Sequence, residues 1–217
     1  MNLDLLTDRM EQAFLKLSAD NDASHDLHHS RRVKALALTI AEQEAAGNPD
    51  HLIAAAYLHD IVNLPKNSPL RARASTLSAE AAAPILRENG FGETDVEAIQ
   101  HIIIAHSFSA NIPPATPDAC ILQDADRIDS LGAIGIARTF FIAGKLDTAL
   151  FDGGDPFAGA RELNDRRFAV DHFAVKLLRL SETMQTESGR GIARQRTDAM
   201  RQFLHALGGE LGYPSTW

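Results

Sequence analysis

Several apolar stripes in this sequence run into a histidine or an aspartate. Val33, Leu36, Ala37 and Ile40 extend back by four residues to His29. Leu52, Ala55 and Ala56 extend forward to His59 and Asp60. Leu122 and Ala125 lead to Asp126, and Val96, Ile99 and Ile103 lead to His106. At helical spacing each of these polar side chains is directed inward with its stripe. A buried carboxylate is costly unless it is paired or bound to a cation. One divalent cation held by His29, His59, Asp60 and Asp126 accounts for all four together. Two imidazoles and two carboxylates suit Mn²⁺, Mg²⁺, Fe²⁺, Co²⁺, Ni²⁺ or Zn²⁺. On an octahedral ion, four protein ligands leave positions for water and substrate, which is the arrangement for attack on a phosphoryl group.

Other residues carry plainer alternatives. His106 is either a satisfied core histidine or a group facing the substrate, and His101 reads as structural. Those two stand five residues apart, about 140° around a helix, so a regular helix cannot turn both to one site. Asp26 reads as a helix N-cap. Asp124 and Asp129 flank the ligand Asp126; each is either a carboxylate that orients a ligand histidine or a solvated residue. After His59-Asp60 comes an irregular loop, Val62 to Ser75, with Lys66, Arg71 and Arg73 and no acid. Guanidinium forks suit phosphate oxygens, and Ser75 and Ser78 add neutral donors. These three bases are the expected substrate-binding residues.

The elements that must position these groups are helical. The periodicity predicts helices over about 1–19, 28–46, 50–61, 78–89, 94–106, 117–130, 133–144, 159–182 and 188–207. Gly90 and Gly92 stop one of them, and Asp152-Gly153-Gly154-Asp155-Pro156 reads as a turn. Strand alternation is nearly absent, so the expected fold class is all-α. The expected organisation is one domain over 1–217, with a core of about 20–145 and a C-terminal helical extension, about 146–217, packed on it.

Composition narrows the function classes. The chain has 217 residues, 21 Lys and Arg against 29 Asp and Glu, and a formal charge of −8. That excess of acid argues against nucleic acid or an anionic membrane as the partner. No apolar run approaches the ~20 residues of a membrane span, and the N-terminus lacks the pattern of a secretory signal. A cytoplasmic protein is expected. The single Cys120 forbids an internal disulfide or an all-cysteine zinc site. There is no Walker-type loop, no Gly-x-Gly-x-x-Gly and no Gly-x-Ser-x-Gly, so ATP-driven work, Rossmann cofactors and serine hydrolysis have no support.

In order along the chain, His29, His59-Asp60 and Asp126 resemble the H…HD…D signature of the HD-domain metal-dependent phosphohydrolases. The words around them match as well: Ser24 to Val33, Ala55 to Ile61, and Gln123 to Arg138, the last resembling the bacterial YedJ-like subgroup. Asp171-His172-Phe173 and Lys176-Leu177-Leu178 resemble that subgroup too, so the likeness runs over about 20–207. The resemblance implies a helical HD-domain bundle with His29, His59, Asp60 and Asp126 as metal ligands. It also implies hydrolysis of a phosphoester or phosphoanhydride, with nucleotides as the substrate class by analogy. Asp60 and Asp126 then count among the catalytic residues, with His106 and Asp129 as the two expectations for the proton donor. Binuclear relatives carry two further histidines between His-Asp and the last Asp, and here that interval holds only His101 and His106. One metal is therefore expected, with a second on His106 and Glu80 as the alternative. Two other classes stay open: a non-catalytic sensor of nucleotides or alarmones, and an HD-fold oxygenase. Exposed Leu and Phe on the terminal helices allow a homodimer.

Overall fold

The computed structural model describes residues 2–17, 26–62, 64, 68, 70–107, 110–215 and 217, with Arg71 described in its backbone only. The described residues form nine α-helices, two 3₁₀ segments and one isolated bridge, Ala149 with Phe168, so the chain is all-α as expected. None of these helices is long and apolar enough to cross a membrane. The fold divides into two compact units, one of residues 1–126 with 185–188 and one of residues 127–184 with 189–217.

In the first unit, α1 (Leu3–Leu17) buries Leu6, Met10 and Phe14, one per turn, with Thr7, Glu11 and Ala13 half-buried beside them. α2 (Leu27–Glu44) is capped by Asp26, whose side chain accepts a hydrogen bond from the His29 backbone N–H at 2.8 Å. It ends at Ala45, in left-handed conformation, and the chain turns through Gly47 at φ +91°. That conformation favours glycine, and a Cβ there would also stand 2.9 Å from Asp118 Oδ1, which would have to give way.

α3 (Pro49–Leu58) begins with an Asn48 cap and Pro49, a favoured start. Every residue from Leu52 to Leu58 is buried, as befits a helix apolar all round. α3 is the hub of the unit, packing against α1, α2, α4 (Ala74–Glu88) and α5 (Glu93–His106). α6 (Pro117–Asp129) carries Asp126, the last residue of this unit's first segment. Glu11 on α1 receives two hydrogen bonds from the Arg31 guanidinium, at 2.8 and 2.6 Å, and one from the Tyr57 hydroxyl at 2.7 Å, tying α1 to α2 and α3.

The second unit holds α7 (Gly132–Lys145), α8 (Asp171–Val175), the 3₁₀ segment Leu177–Thr183 and most of α9 (Glu187–Leu211). Phe140, Phe173 and Phe203 form its aromatic centre, with ring centroids 5.8 to 6.1 Å apart. α7 and α9 meet at Gly135, where a Cβ would come within 2.8 Å of Met200 Cε. The helix expected over 159–182 is not formed: that stretch is turns, the five-residue α8 and the 3₁₀ segment. Asp155 accepts backbone N–H bonds from Gly159, Ala160 and Arg161, and the Arg161 guanidinium pairs with both oxygens of fully buried Asp171 at 2.6 and 2.7 Å. These polar ties hold the backbone in a turn where apolar spacing alone suggested a helix. The Asp152–Pro156 segment is the expected turn, with Asp152 Oδ1 accepting from the N–H groups of Gly154 and Asp155.

Candidate metal centre

Three helix ends bring three histidines together. His29 lies in the first turn of α2, His59 stands at the C-cap of α3, and His106 is the last residue of α5. All three are buried. Asp60 follows His59, and Asp126 comes from α6; their side chains are 26% and 27% exposed, so one side of the cluster is open to solvent.

The Nε2 atoms of His29 and His59 are 3.3 Å apart. Asp126 Oδ1 lies 3.5 Å from His29 Nε2 and 3.9 Å from His59 Nε2. Asp60 reaches both ways, with Oδ2 3.4 Å from His59 Nε2 and Oδ1 3.5 Å from His106 Nε2. Two ligand groups result, one of His29, His59 and Asp126 and one of His59, Asp60 and His106.

Tautomers follow from the partners. His59 Nδ1 lies 3.0 Å from the Ala56 carbonyl oxygen, which can only accept, so Nδ1 carries the proton and the Nε2 lone pair faces the cluster. His106 Nδ1 meets the Ile103 carbonyl in the same way. Burial pushes the His59 imidazole down to about 4, which keeps it neutral and able to ligate. Burial acts in the same direction on His106, but the hydrogen bond and charge of Asp60 outweigh it and raise His106 above its ordinary value.

This donor set fits a cation. The His59 Nε2 lone pair faces His29 Nε2 and the carboxylate oxygens of Asp60 and Asp126. For metal–ligand bonds of about 2.1 Å, adjacent ligands stand about 3.0 Å apart in an octahedron and about 3.4 Å apart in a tetrahedron. Separations of 3.3 to 3.5 Å match the tetrahedral edge, and the 3.9 Å from Asp126 Oδ1 to His59 Nε2 is longer than either edge. His59 belongs to both groups, and its single free lone pair can serve one ion.

Of the expected ligands, His29, His59 and Asp126 share one group, while Asp60 shares the other with His59 and His106. His101 instead accepts the Ala115 backbone N–H at 3.1 Å, which separates the two histidines as the helix geometry demanded. Glu80 is exposed and belongs to neither ligand group. Asp124 is fully buried and accepts from the backbone N–H groups of Gln185 and Thr186 and from the Thr186 hydroxyl, so it anchors the chain leading into α9. Asp129 is fully buried with Oδ2 3.8 Å from Arg138 Nη1. Of the loop bases, Arg73 is exposed and Lys66 lies outside the described residues, as does the Arg71 side chain.

The sequence reading missed two supports. Gln123, buried on α6, donates to the Ala105 carbonyl at 2.7 Å and so fixes the end of α5 beside His106. At the other end of α3, His51 is held between Asp95 and Asp118 at 3.1 and 3.3 Å. Neither shows as periodicity, because each partner is distant in sequence.

Residues 26–131 match the HD-domain family. The chain is 34% identical over 194 residues to the uncharacterized protein YpgQ of Bacillus subtilis, covering 87% of this chain and 85% of that protein. Among solved structures, an HD-superfamily hydrolase from Bacillus thuringiensis superposes with a TM-score of 0.76 at 27% identity, over 97% of this chain and 99% of that one. B. subtilis YpgQ in complex with ADP superposes with a TM-score of 0.73 at 28% identity, over 97% of each chain.

Proposed function

This chain belongs to the HD-domain superfamily and is YpgQ-like, and we propose that it is a metal-dependent phosphohydrolase that cleaves a phosphoester or phosphoanhydride of a nucleotide. The observation that carries the reading is the pair of adjoining ligand groups that share His59, one with His29 and Asp126 and the other with Asp60 and His106. A second support is the ADP held by the B. subtilis relative. Within the superfamily, the sequence words from Gln123 to Arg138 favour the YedJ-like subgroup.

One divalent cation is assigned to His29, His59, Asp60 and Asp126. Bound there, it supplies Lewis acidity toward a phosphoryl oxygen and toward water. The protein's own groups do the rest. Asp60 and Asp126 contribute negative charge at the open side, offsetting the ion and orienting it. His106 stands with Nε2 against Asp60 Oδ1 and can hold a proton there for the leaving oxygen. That role falls to His106 rather than Asp129, whose carboxylate is fully buried beside Arg138. Lys66, Arg71 and Arg73 follow the His59-Asp60 pair in sequence and are assigned to the substrate phosphates.

The test is release of phosphate or pyrophosphate from a nucleotide panel with Mn²⁺, Mg²⁺, Co²⁺, Ni²⁺ and Zn²⁺, beside Asp60→Ala. Metal-dependent turnover that the substitution abolishes supports the reading. Tight nucleotide binding without turnover in any metal would instead favour a nucleotide sensor built on the same pocket.

A further inference from the structure

His51 lies outside the metal centre, and both of its ring nitrogens face carboxylates. Nε2 is 3.1 Å from Asp95 Oδ1, and Nδ1 is 3.3 Å from Asp118 Oδ2. An ionised carboxylate only accepts, so the ring makes both contacts as an imidazolium. A neutral ring has one N–H and keeps one of them. Asp50 is its neighbour on α3, and among the described residues no charged side chain of α1, α2 or α4 pairs with it.

His51, Asp95 and Asp118 stand in the first turns of α3, α5 and α6. The same three helices deliver His59, His106 and Asp126 at their other ends. They therefore run in one direction from His51 to the metal centre, over about 12 Å of α3 and α6 and about 16 Å of α5. None contains a glycine, or a proline past its first residue, so each carries a displacement as a rod. The helix starts favour the two carboxylates and disfavour a cation, so the charge on His51 depends on Asp95 and Asp118. Asp118 is 15% exposed and also accepts the Asn48 backbone N–H at 2.8 Å, whereas Asp95 is 47% exposed. Water replaces an imidazole N–H more readily at the exposed carboxylate. A neutral ring therefore keeps Asp118 and releases Asp95, and with it the start of α5.

We infer that His51 is a positioning residue for the metal centre: protonated, it clamps the start of α5 and through that helix holds His106 against the ligand Asp60. The ion is then held more tightly while His51 carries its proton. The inference rests on the metal-centre reading and not on the identity of the substrate.

Mn²⁺ is titrated by calorimetry, under argon at pH 6 and pH 8.5, into the parent, His51→Gln and Asp95→Ala. A solvent-exposed ion pair is worth a factor of about 1.4 to 5, so each variant should bind Mn²⁺ about threefold more weakly than the parent at pH 6. At pH 8.5, above the ordinary histidine range, the three affinities should agree within about 1.5-fold. Asp95 is on the surface, so the test stands on Asp95→Ala should His51→Gln fail to fold. A gap of the same size at both pH values is the mark of a packing role alone and overturns the inference, as does no gap at either. A parent that binds no Mn²⁺ at either pH overturns the metal-centre reading and this inference with it. A parent that binds, with variants whose gap ignores pH, overturns the inference alone.

Discussion

Replacing Glu11 with Gln tests how α1 is fastened to the helices that carry the histidines. Glu11 accepts from the Arg31 guanidinium at 2.8 and 2.6 Å and from the Tyr57 hydroxyl at 2.7 Å, and Tyr57 stands two residues before His59. The Arg31 hydrogen bonds hold the Glu11 carboxyl at about 2, against an ordinary 4.5. That gap corresponds to at most about 3 kcal/mol. The Arg31 side chain is 47% exposed, so solvent screening reduces the contribution to about 1 kcal/mol. Because the folded value is depressed, this stability is fully present above the unfolded value and is lost as pH falls through about 4.5 toward 2. Glu11→Gln should therefore melt about 2–4 °C below the parent at pH 6. The difference should narrow toward zero in melts taken down to pH 2–3. Melting curves that stay parallel across this range, or a variant as stable as the parent at pH 6, would refute the assignment.

Other outcomes follow from the same geometry. A divalent ion present at a hundredfold over its Kd should stabilise the parent by about 2.7 kcal/mol, or about 5–10 °C in Tm, and His59→Ala should lose that shift. His106→Ala should lower kcat at least tenfold, while His101→Ala should leave kcat unchanged, because His101 only accepts the Ala115 N–H. Asp124→Asn sets an amide N–H₂ against the donors of Gln185 and Thr186, and should cost about 1–3 kcal/mol in urea unfolding with little change in metal content.

The site was legible because its ligands sit on apolar stripes. His29, His59 and His106 are each buried at the end of a helix whose inward face the sequence already marked, and the Asp26 cap that sets His29 is a local signal. Whether His106 turned to the cluster or into the core was not legible, because that depends on Asp60 from another helix. The helix misread over 159–182 has the same origin. Its backbone is held by Asp155 and by the Arg161–Asp171 pair, both side-chain ties that periodicity does not register. Glu11 shows the same limit, since a carboxylate on an exposed-looking position of α1 meets Arg31 and Tyr57 only once three helices have packed.

The most direct test of the metal centre counts ions. Parent protein, His59→Ala and Asp126→Ala would be loaded with Mn²⁺, dialysed, and measured for metal per chain by mass spectrometry, with nucleotide turnover read on the same samples. The account predicts one ion per chain and turnover in the parent, and loss of both in each variant. A parent that turns over nucleotide at full rate in excess chelator, or variants that keep one ion per chain, would contradict it.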